Sequence, residues 1–522
     1  MKRVKWPKPK TERIILLALA LIFQIVVIFI IWNNLVAYSN FIEIIGGLFS
    51  LIMVLYLILK DQNPAYRQSW IILIMLFPLF GGVLYFLIGN KKPIRGMRES
   101  IAKQEKEHAD EIKTVPDVTH LLAEKNESYA GMSRYLREYS QSPLYINDPI
   151  AYYPSGEAMM NDLIHDLKQA KKTIFLEFFI IEYGVMFDLI FNELIAKVKE
   201  GVDVRLIYDG FGTLTRLPED FEEYCQKLGI NALRFNPVKP LVSMAYNTRD
   251  HRKFIIIDNE IAYTGGLNIA DEYINAVERF GYWKDTMIRV EGPATWNYTI
   301  MFLNLWNAFK ETDKSYESFR PQSLPELAQQ NTEDLKNISN IYGFVQPFGD
   351  TPLNEESVAE NIYQSILHQA TDYVYIYTPY LVISYEMQVA MQMAAKRGID
   401  VKLMTPGIPD KKLVYRMTRS FYRPLLNAGV EIYEYEPGFL HAKSFISDDK
   451  IATVGTSNLD YRSLYLHFET NTVMYYHPVI KDIKEDMLAS LAQSKKITIK
   501  DTNQYFLGHA WDAVLRLLAP FV

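Results

Sequence analysis

At 522 residues the chain has room for two or more domains, and its 55 basic against 61 acidic side chains give a formal net charge of −6. That balance provides no overall basic field to attract nucleic acid. The single cysteine, Cys225, excludes an intrachain disulfide; no Cys/His group reads as a zinc site and no acidic group as a cation loop.

The chain opens with apolar sequence. Residues 14–42 carry no Asp, Glu, Lys or Arg, and Ile14–Trp32 has Gln24 as its only strongly polar side chain. Nineteen apolar residues suffice to cross a bilayer core of ~30 Å. A second run covers Ile44–Leu59, and a third, Trp70–Ile88, is interrupted by Pro78, Gly81 and Gly82. Lys2, Arg3, Lys5, Lys8, Lys10 and Arg13 precede the first run, and Lys60 and Arg67 follow the second, whereas Tyr38–Glu43 between them has no Lys or Arg. This asymmetry predicts a hairpin with both ends in the cytoplasm. The third run is expected to dip into the bilayer or lie on it, because Lys91, Lys92, Arg95 and Arg98 follow at once. The anchor is thus read as residues 1–92, with three crossings as the alternative.

Residues 93–143 are polar and read as a connector. Beyond them the chain repeats itself. A strand-like stretch, Lys172–Ile181, precedes a helical stretch to about Glu200 and a second strand, Gly201–Ile207. The later copy runs Tyr373–Tyr377, a helical stretch to Arg397, then Gly398–Met404. Leu228-Gly229-Ile230 and Ala428-Gly429-Val430 each open a further strand. Alternating strands and helices predict α/β units around a mixed sheet. Glu311–Lys336, rich in Gln, Ser, Glu and Pro, reads as a linker. The expected division is a first lobe over 144–312, a linker over 313–340 and a second lobe over 341–522. The C-terminal stretch Ala510–Val522 is amphipathic and could lie on the bilayer or pack on the second lobe.

One constellation occurs in both halves. His251-Arg252-Lys253 is followed by Asp258, and His441-Ala442-Lys443 by Asp448. Ten residues after each aspartate stands an asparagine, Asn268 in Gly265-Gly266-Leu267-Asn268 and Asn458 in Gly455-Thr456-Ser457-Asn458. Two copies at one spacing point to a site built from two halves. Residues two apart in a strand share a face, so each histidine points with its lysine.

These residue types suit phosphodiester chemistry. One imidazole can attack phosphorus while the other protonates the departing oxygen and then deprotonates an incoming alcohol. Its ordinary pKa, ~6.5, fits both duties. Lys253, Lys443, Asn268 and Asn458 can hold the non-bridging oxygens. No metal or other cofactor is called for. Aligning the halves sets Asp285-Thr286 against Glu469-Thr470, and we expect Asp285 and Glu469 to orient the imidazoles. Asp258 and Asp448, counted with the catalytic motif, are expected to brace the motif backbone and lysines.

The doubled His-x-Lys-x4-Asp motif resembles the phospholipase D superfamily. With the apolar N-terminus and Gly281-Tyr282-Trp283-Lys284-Asp285-Thr286, the whole chain resembles bacterial cardiolipin synthases. The resemblance implies two α/β/α lobes related by a pseudo-twofold axis, His251 as nucleophile and His441 as acid/base. It also implies a multi-pass protein of the bacterial cell membrane with cytoplasmic catalytic lobes. The implied reaction joins two phosphatidylglycerol molecules into cardiolipin and glycerol, with one chain supplying one complete site. A membrane-bound phospholipase D, in which water replaces the alcohol, is the alternative.

Overall fold

The computed structural model describes residues 39–60, 63–77, 81–82, 84–85, 95–146, 149–238, 247–354, 356–503 and 506–521, and Leu19, Ile22, Phe23, Ile25, Val26, Phe29, Ile30 and Asn33. In chain order its strands are β1 Ile150–Tyr153, β2 Thr173–Phe178, β3 Asp203–Asp209, β4 Asn231–Phe235, β5 Arg249–Asp250, β6 Lys253–Ile257, β7 Ile261–Gly265, β8 Tyr282–Lys284, β9 Met287–Glu291, β10 Phe344–Asp350, β11 Tyr373–Tyr377, β12 Leu381–Val382, β13 Asp400–Pro406, β14 Glu431–Tyr435, β15 Gly438–Leu440, β16 Ser444–Ser447, β17 Ile451–Gly455, β18 Leu459–Asp460, β19 His467–Tyr475 and β20 Ser494–Ile497.

Two sheets dominate. The first has the order β1-β9-β7-β6-β2-β3-β4 and the second β10-β19-β17-β16-β11-β13-β14-β20. Up to the extra edge strand β20 they correspond position by position, so the duplication read from the motifs extends to the whole sheet. Within each, three strands run parallel, β2–β3–β4 and β11–β13–β14, and the rest are antiparallel.

The central strands are apolar on both faces because both faces are covered. In β2, Ile174 and Leu176 pack outward with Leu163 of helix Gly156–Gln169 and Ile190 of helix Val185–Lys199. Phe175, between them, turns the other way onto Phe302 of helix Thr295–Phe309, with ring centroids 4.6 Å apart. That inner face belongs to one continuous core with Phe344, Val345 and Val473 of the second lobe. Truncating Phe302 to Ala would cost about 3–5 kcal/mol and loosen both lobes together.

Helix-to-strand turns repeat as well. Gly201 and Gly398 have φ of 93° and 90°, each just before the second parallel strand of its lobe. Glycine suits this left-handed position at the end of a helix because it has no Cβ to clash.

The polar connector is helical, over Arg95–Glu107, Ala109–Lys113, Thr119–Lys125 and Glu127–Tyr139. Its buried Met97 and Ile101 join the shared core. The sequence read as a linker also carries helices, Ser323–Ala328 and Thr332–Tyr342.

Most of the first apolar run, Ile14–Trp32, lies outside the described residues. The second forms helix Ser39–Leu59, with side chains described from Ile45 onward. The first part of the third forms helix Pro64–Leu76, and most of the remainder lies outside the described residues. These helices meet around Met53, Leu57, Trp70 and Ile74, and Ser50 Oγ donates to Ile74 O at 3.1 Å. Among the described residues no helix is long and apolar enough to cross a membrane, so the expected pair of crossings and the multi-pass topology find no support there.

The amphipathic C-terminus, helix Phe506–Leu518 and the turn Ala519–Phe521, takes one of its two expected places and adds a contact the sequence did not suggest. It packs on the second lobe, where Arg416 Nε meets Asp512 Oδ1 at 3.0 Å, and also on the anchor. There Ser69 Oγ donates to Leu517 O at 2.6 Å, and the ring of Phe521 stands 5.2 Å from Trp70 and 5.5 Å from Tyr66.

Candidate active site between the lobes

Two short parallel pairings stitch the lobes together. In one, β15 of the second lobe lies on β8 of the first, with Leu440 opposite Lys284. In the other, β5 of the first lobe lies on β19 of the second, with Asp250 opposite Phe468. Each motif histidine is the next residue after such a pairing. His251 N donates to Phe468 O at 2.9 Å, and His441 N donates to Lys284 O at 2.7 Å. The residues that accept these bonds immediately precede Glu469 and Asp285. The backbone thus delivers each imidazole beside the acid of the opposite lobe.

The side chains complete the pairing. His251 Nδ1 lies 2.8 Å and 3.0 Å from the two carboxylate oxygens of Glu469, and His441 Nδ1 lies 2.6 Å from Asp285 Oδ2. Both imidazoles are 7 % exposed and both acids fully buried.

The difference between Gly-Gly-Leu-Asn and Gly-Thr-Ser-Asn follows from these acids. A Cβ on Gly266 would stand 1.9 Å from Asp285 Oδ1, so no side chain fits. At the matching position of the second half, Thr456 uses its hydroxyl to donate to Glu469 Oε2, and Ser463 Oγ donates to Oε1 at 2.5 Å. Sequence reading missed Thr456, whose counterpart is the glycine Gly266, and Ser463, whose counterpart Tyr273 lies beyond the quoted motif.

Both lysines are buried at the centre. Lys253 Nζ donates to His251 O at 2.6 Å, and Lys443 Nζ donates to His441 O and lies 2.9 Å from its Nδ1. Burial lowers Lys253 to about 8 and Lys443 to about 7, against the pull of Asp285 and Glu469. Burial, then Lys253 and Lys443, hold His251 well below the usual imidazole range. Burial and Lys443 lower His441 to about 4, although Asp285 pulls the other way. Burial pushes the Asp285 carboxyl up, but His441 and Lys443 outweigh it and leave that acid below its ordinary range. At pH 7 both imidazoles are therefore neutral and Asp285 is ionised.

The motif asparagines face the same space but are engaged differently. Asn268 Oδ1 accepts from Ile180 N at 2.9 Å, and its Nδ2 donates to Tyr273 OH at 2.7 Å. Asn458 N donates to Ser463 Oγ at 2.8 Å, while its Oδ1 has no partner among the described residues.

Asp258 and Asp448 are not brought to the histidines. Each stands at the far end of its motif strand, in a left-handed turn with φ of 51° and 56°. Seven residues of extended chain span roughly 23 Å. The Asp258 carboxylate accepts from the backbone N–H groups of Lys171, Lys172 and Thr173. Asp448 does the same for Thr371, Asp372 and Tyr373. They clamp the start of the neighbouring parallel strand and touch neither motif lysine.

His251, His441, Asn268 and Asn458 line one cleft of about 610 Å³, with aromatic rings, Arg216, Arg279 and Lys411 around them. Within it His251, His467 and Glu469 place ligand atoms within 4.8 Å of one another, a grouping that could hold a metal. The two central lysines instead suit the space to an anion.

A duplicated α/β fold in which two His-x-Lys half-sites meet at the lobe interface defines a phospholipase D superfamily member. A family model described as "Cardiolipin synthase, PLD-like domain" matches residues 163–291 and 363–490, and one described as "Phospholipase_D-nuclease N-terminal" matches 48–90. A cardiolipin synthase of Staphylococcus aureus is 30 % identical over 506 residues, covering 94 % of this chain and 98 % of that protein. One of Alkalihalophilus pseudofirmus is 29 % identical, covering 89 % and 90 %. A protein of Streptococcus mutans is 43 % identical over 85 % of this chain and 94 % of its own. The crystal structure of a phosphatidylserine synthase from Haemophilus influenzae shares the fold, with a TM-score of 0.57, 13 % identity, and coverage of 76 % of this chain and all of that one. The chain belongs to the bacterial cardiolipin synthase family.

Proposed function

We propose that this enzyme transfers a phosphatidyl group from one phosphatidylglycerol to another, giving cardiolipin and glycerol. The observation that carries the reading is the crossed pairing of His251 with Glu469 and His441 with Asp285 at one cleft between the lobes. The cardiolipin synthase relatives favour an alcohol over water as acceptor, and with it the transferase over the hydrolase.

In the first step Nε2 of neutral His251 attacks phosphorus. The bond to the headgroup oxygen breaks, and the oxygen takes a proton from His441 and leaves as glycerol. The substrate's negative charge raises His441 from its low resting pKa, and Asp285 stabilises the imidazolium. In the second step the primary hydroxyl of another phosphatidylglycerol loses its proton to His441 and attacks the phosphohistidine. The nitrogen–phosphorus bond breaks, cardiolipin forms and both histidines return to their starting state. Lys253 and Lys443 neutralise the non-bridging oxygens throughout. The assignment of His251 as nucleophile follows the superfamily resemblance.

Membrane association is part of the same reading. Leu48, Leu51, Ile52, Leu55 and Leu59 of helix Ser39–Leu59 are each more than half exposed, an apolar surface suited to lipid. We place the catalytic lobes on the cytoplasmic side, following the distribution of Lys and Arg around the anchor.

The test is to incubate the purified protein in detergent with labelled phosphatidylglycerol alone. Cardiolipin with an equivalent of glycerol is the expected result. Phosphatidic acid as the only product would mean that water resolves the intermediate and would refute the transfer.

A further inference from the structure

The two half-sites are built alike but walled differently. Trp283 lies two residues before Asp285, and His467 lies two residues before Glu469. Each projects beside the histidine its acid holds. The Trp283 ring is 5.2 Å from His441 and the His467 ring 5.4 Å from His251. Around His441 the wall continues as Tyr273 and Phe439, each 5.7 Å away. Beside His251 the first lobe places Phe179, 5.0 Å away, whereas the second-lobe stretch that includes His467 presents polar Asn458, Asp460 and Arg462 to the cleft.

Three buried polar atoms on that second-lobe wall have no hydrogen-bond partner among the described residues: Asn458 Oδ1, Arg462 Nε and His467 Nδ1. All three residues line the catalytic cleft. They come from one short stretch, just before β18, on the first turn of helix Tyr461–Leu466, and at the start of β19. The nearest carboxylate oxygen to His467 Nδ1, Glu469 Oε1, is 3.7 Å away, beyond hydrogen-bond distance. Buried polar atoms are rarely left unmet, so three gathered in one wall of the cleft point to a polar ligand there.

Their chemistry selects that ligand. Arg462 Nε can only donate, Asn458 Oδ1 can only accept, and His467 Nδ1 does one or the other according to its tautomer. A carboxylate cannot satisfy Asn458 and an ammonium cannot satisfy Arg462. Hydroxyl groups do both.

We propose that Asn458, Arg462 and His467 form a headgroup subsite for a polyol, which in the reaction above is the glycerol of the acceptor lipid. The inference rests on that reaction. It holds whichever histidine attacks, because both open into the same cleft.

The experiment supplies labelled phosphatidylglycerol together with 1-propanol to the full-length protein in mixed micelles. It compares the yields of cardiolipin, phosphatidylpropanol and phosphatidic acid. This ratio is set after the intermediate forms, so slower formation does not change it. Arg462→Met and His467→Phe should each lower the cardiolipin-to-phosphatidylpropanol ratio about 10-fold, and His467→Gln, which keeps a polar group, should preserve it. An unchanged ratio in both variants would overturn the subsite. So would parallel loss of all three products in both, since that marks residues needed for the chemistry itself. If the unmodified protein formed neither transfer product, the failure would lie with the proposed function instead.

Discussion

Glu469 of the second lobe holds the imidazole of His251 in the first, with both carboxylate oxygens within 3.0 Å of Nδ1. Asp285 returns the arrangement to His441 at 2.6 Å. Each acid fixes the tautomer that leaves the opposite ring nitrogen free for phosphorus or for the alcohol. Glu469→Gln and Asp285→Asn should therefore each lower turnover about 100-fold or more, measured as initial cardiolipin formation. Rates within threefold of the parent protein would remove both acids from the mechanism.

The motif aspartates should behave in the opposite way. Asp258→Asn and Asp448→Asn each weaken a carboxylate held by three backbone N–H groups, at an expected cost of about 1–3 kcal/mol. Thermal unfolding in detergent should shift downward, while turnover well below that transition should change less than threefold. A loss of turnover with no loss of stability would bring the aspartates into the chemistry.

Lys443, lowered to about 7, gives the reaction an alkaline limit. As pH rises through that value the free enzyme loses the ammonium that meets the phosphate, so kcat/KM should fall. Arginine stays charged throughout this range. Lys443→Arg should flatten the alkaline limb even at a lower absolute rate. A limb that kept its midpoint in that variant would assign the titration to another group.

Acid should destabilise the fold through the same buried site. His441 and His467 are lowered from 6.5 to about 4, chiefly by burial. Between these values the unfolded chain holds protons that the folded chain does not, so stability rises with pH from about 4 to 6.5. The unfolding midpoint should climb across that window, and less steeply in His467→Gln.

The C-terminal contact with the anchor can be tested locally. Phe521→Ala removes the ring that meets Trp70 and Tyr66. Amide exchange over residues 506–518 should then rise about 10-fold or more, with little change in β2 or β6. Unchanged exchange would mean that the second lobe alone holds this helix.

Much of this site was legible in the sequence because duplication writes the same chemistry twice. The matched motifs located both histidines, and the same alignment singled out Asp285 and Glu469. The strand-like stretches Lys172–Ile181 and Gly201–Ile207 marked the central strands β2 and β3. The exchange of acids between lobes was not legible, because it depends on the β5–β19 and β8–β15 pairings, whose registers of two and three residues are too short to leave a periodic pattern. Thr456 was hidden for a related reason: it replaces a glycine in only one copy, where repetition gives no cue. The return of Phe521 to Trp70 joins segments at opposite ends of the chain, and an amphipathic pattern states that a face will be covered without stating by what.

The crossed acids also restrict how such a chain can diverge. After a duplication, one copy is ordinarily free to drift while the other keeps the function. Here each half keeps its histidine but depends on its sibling for the group that aims it, so damage to either acid silences the imidazole across the interface. Neither lobe can be exchanged alone for that of a distant relative unless the incoming acid reaches the resident histidine. The two halves are bound to a shared inheritance and must change in step.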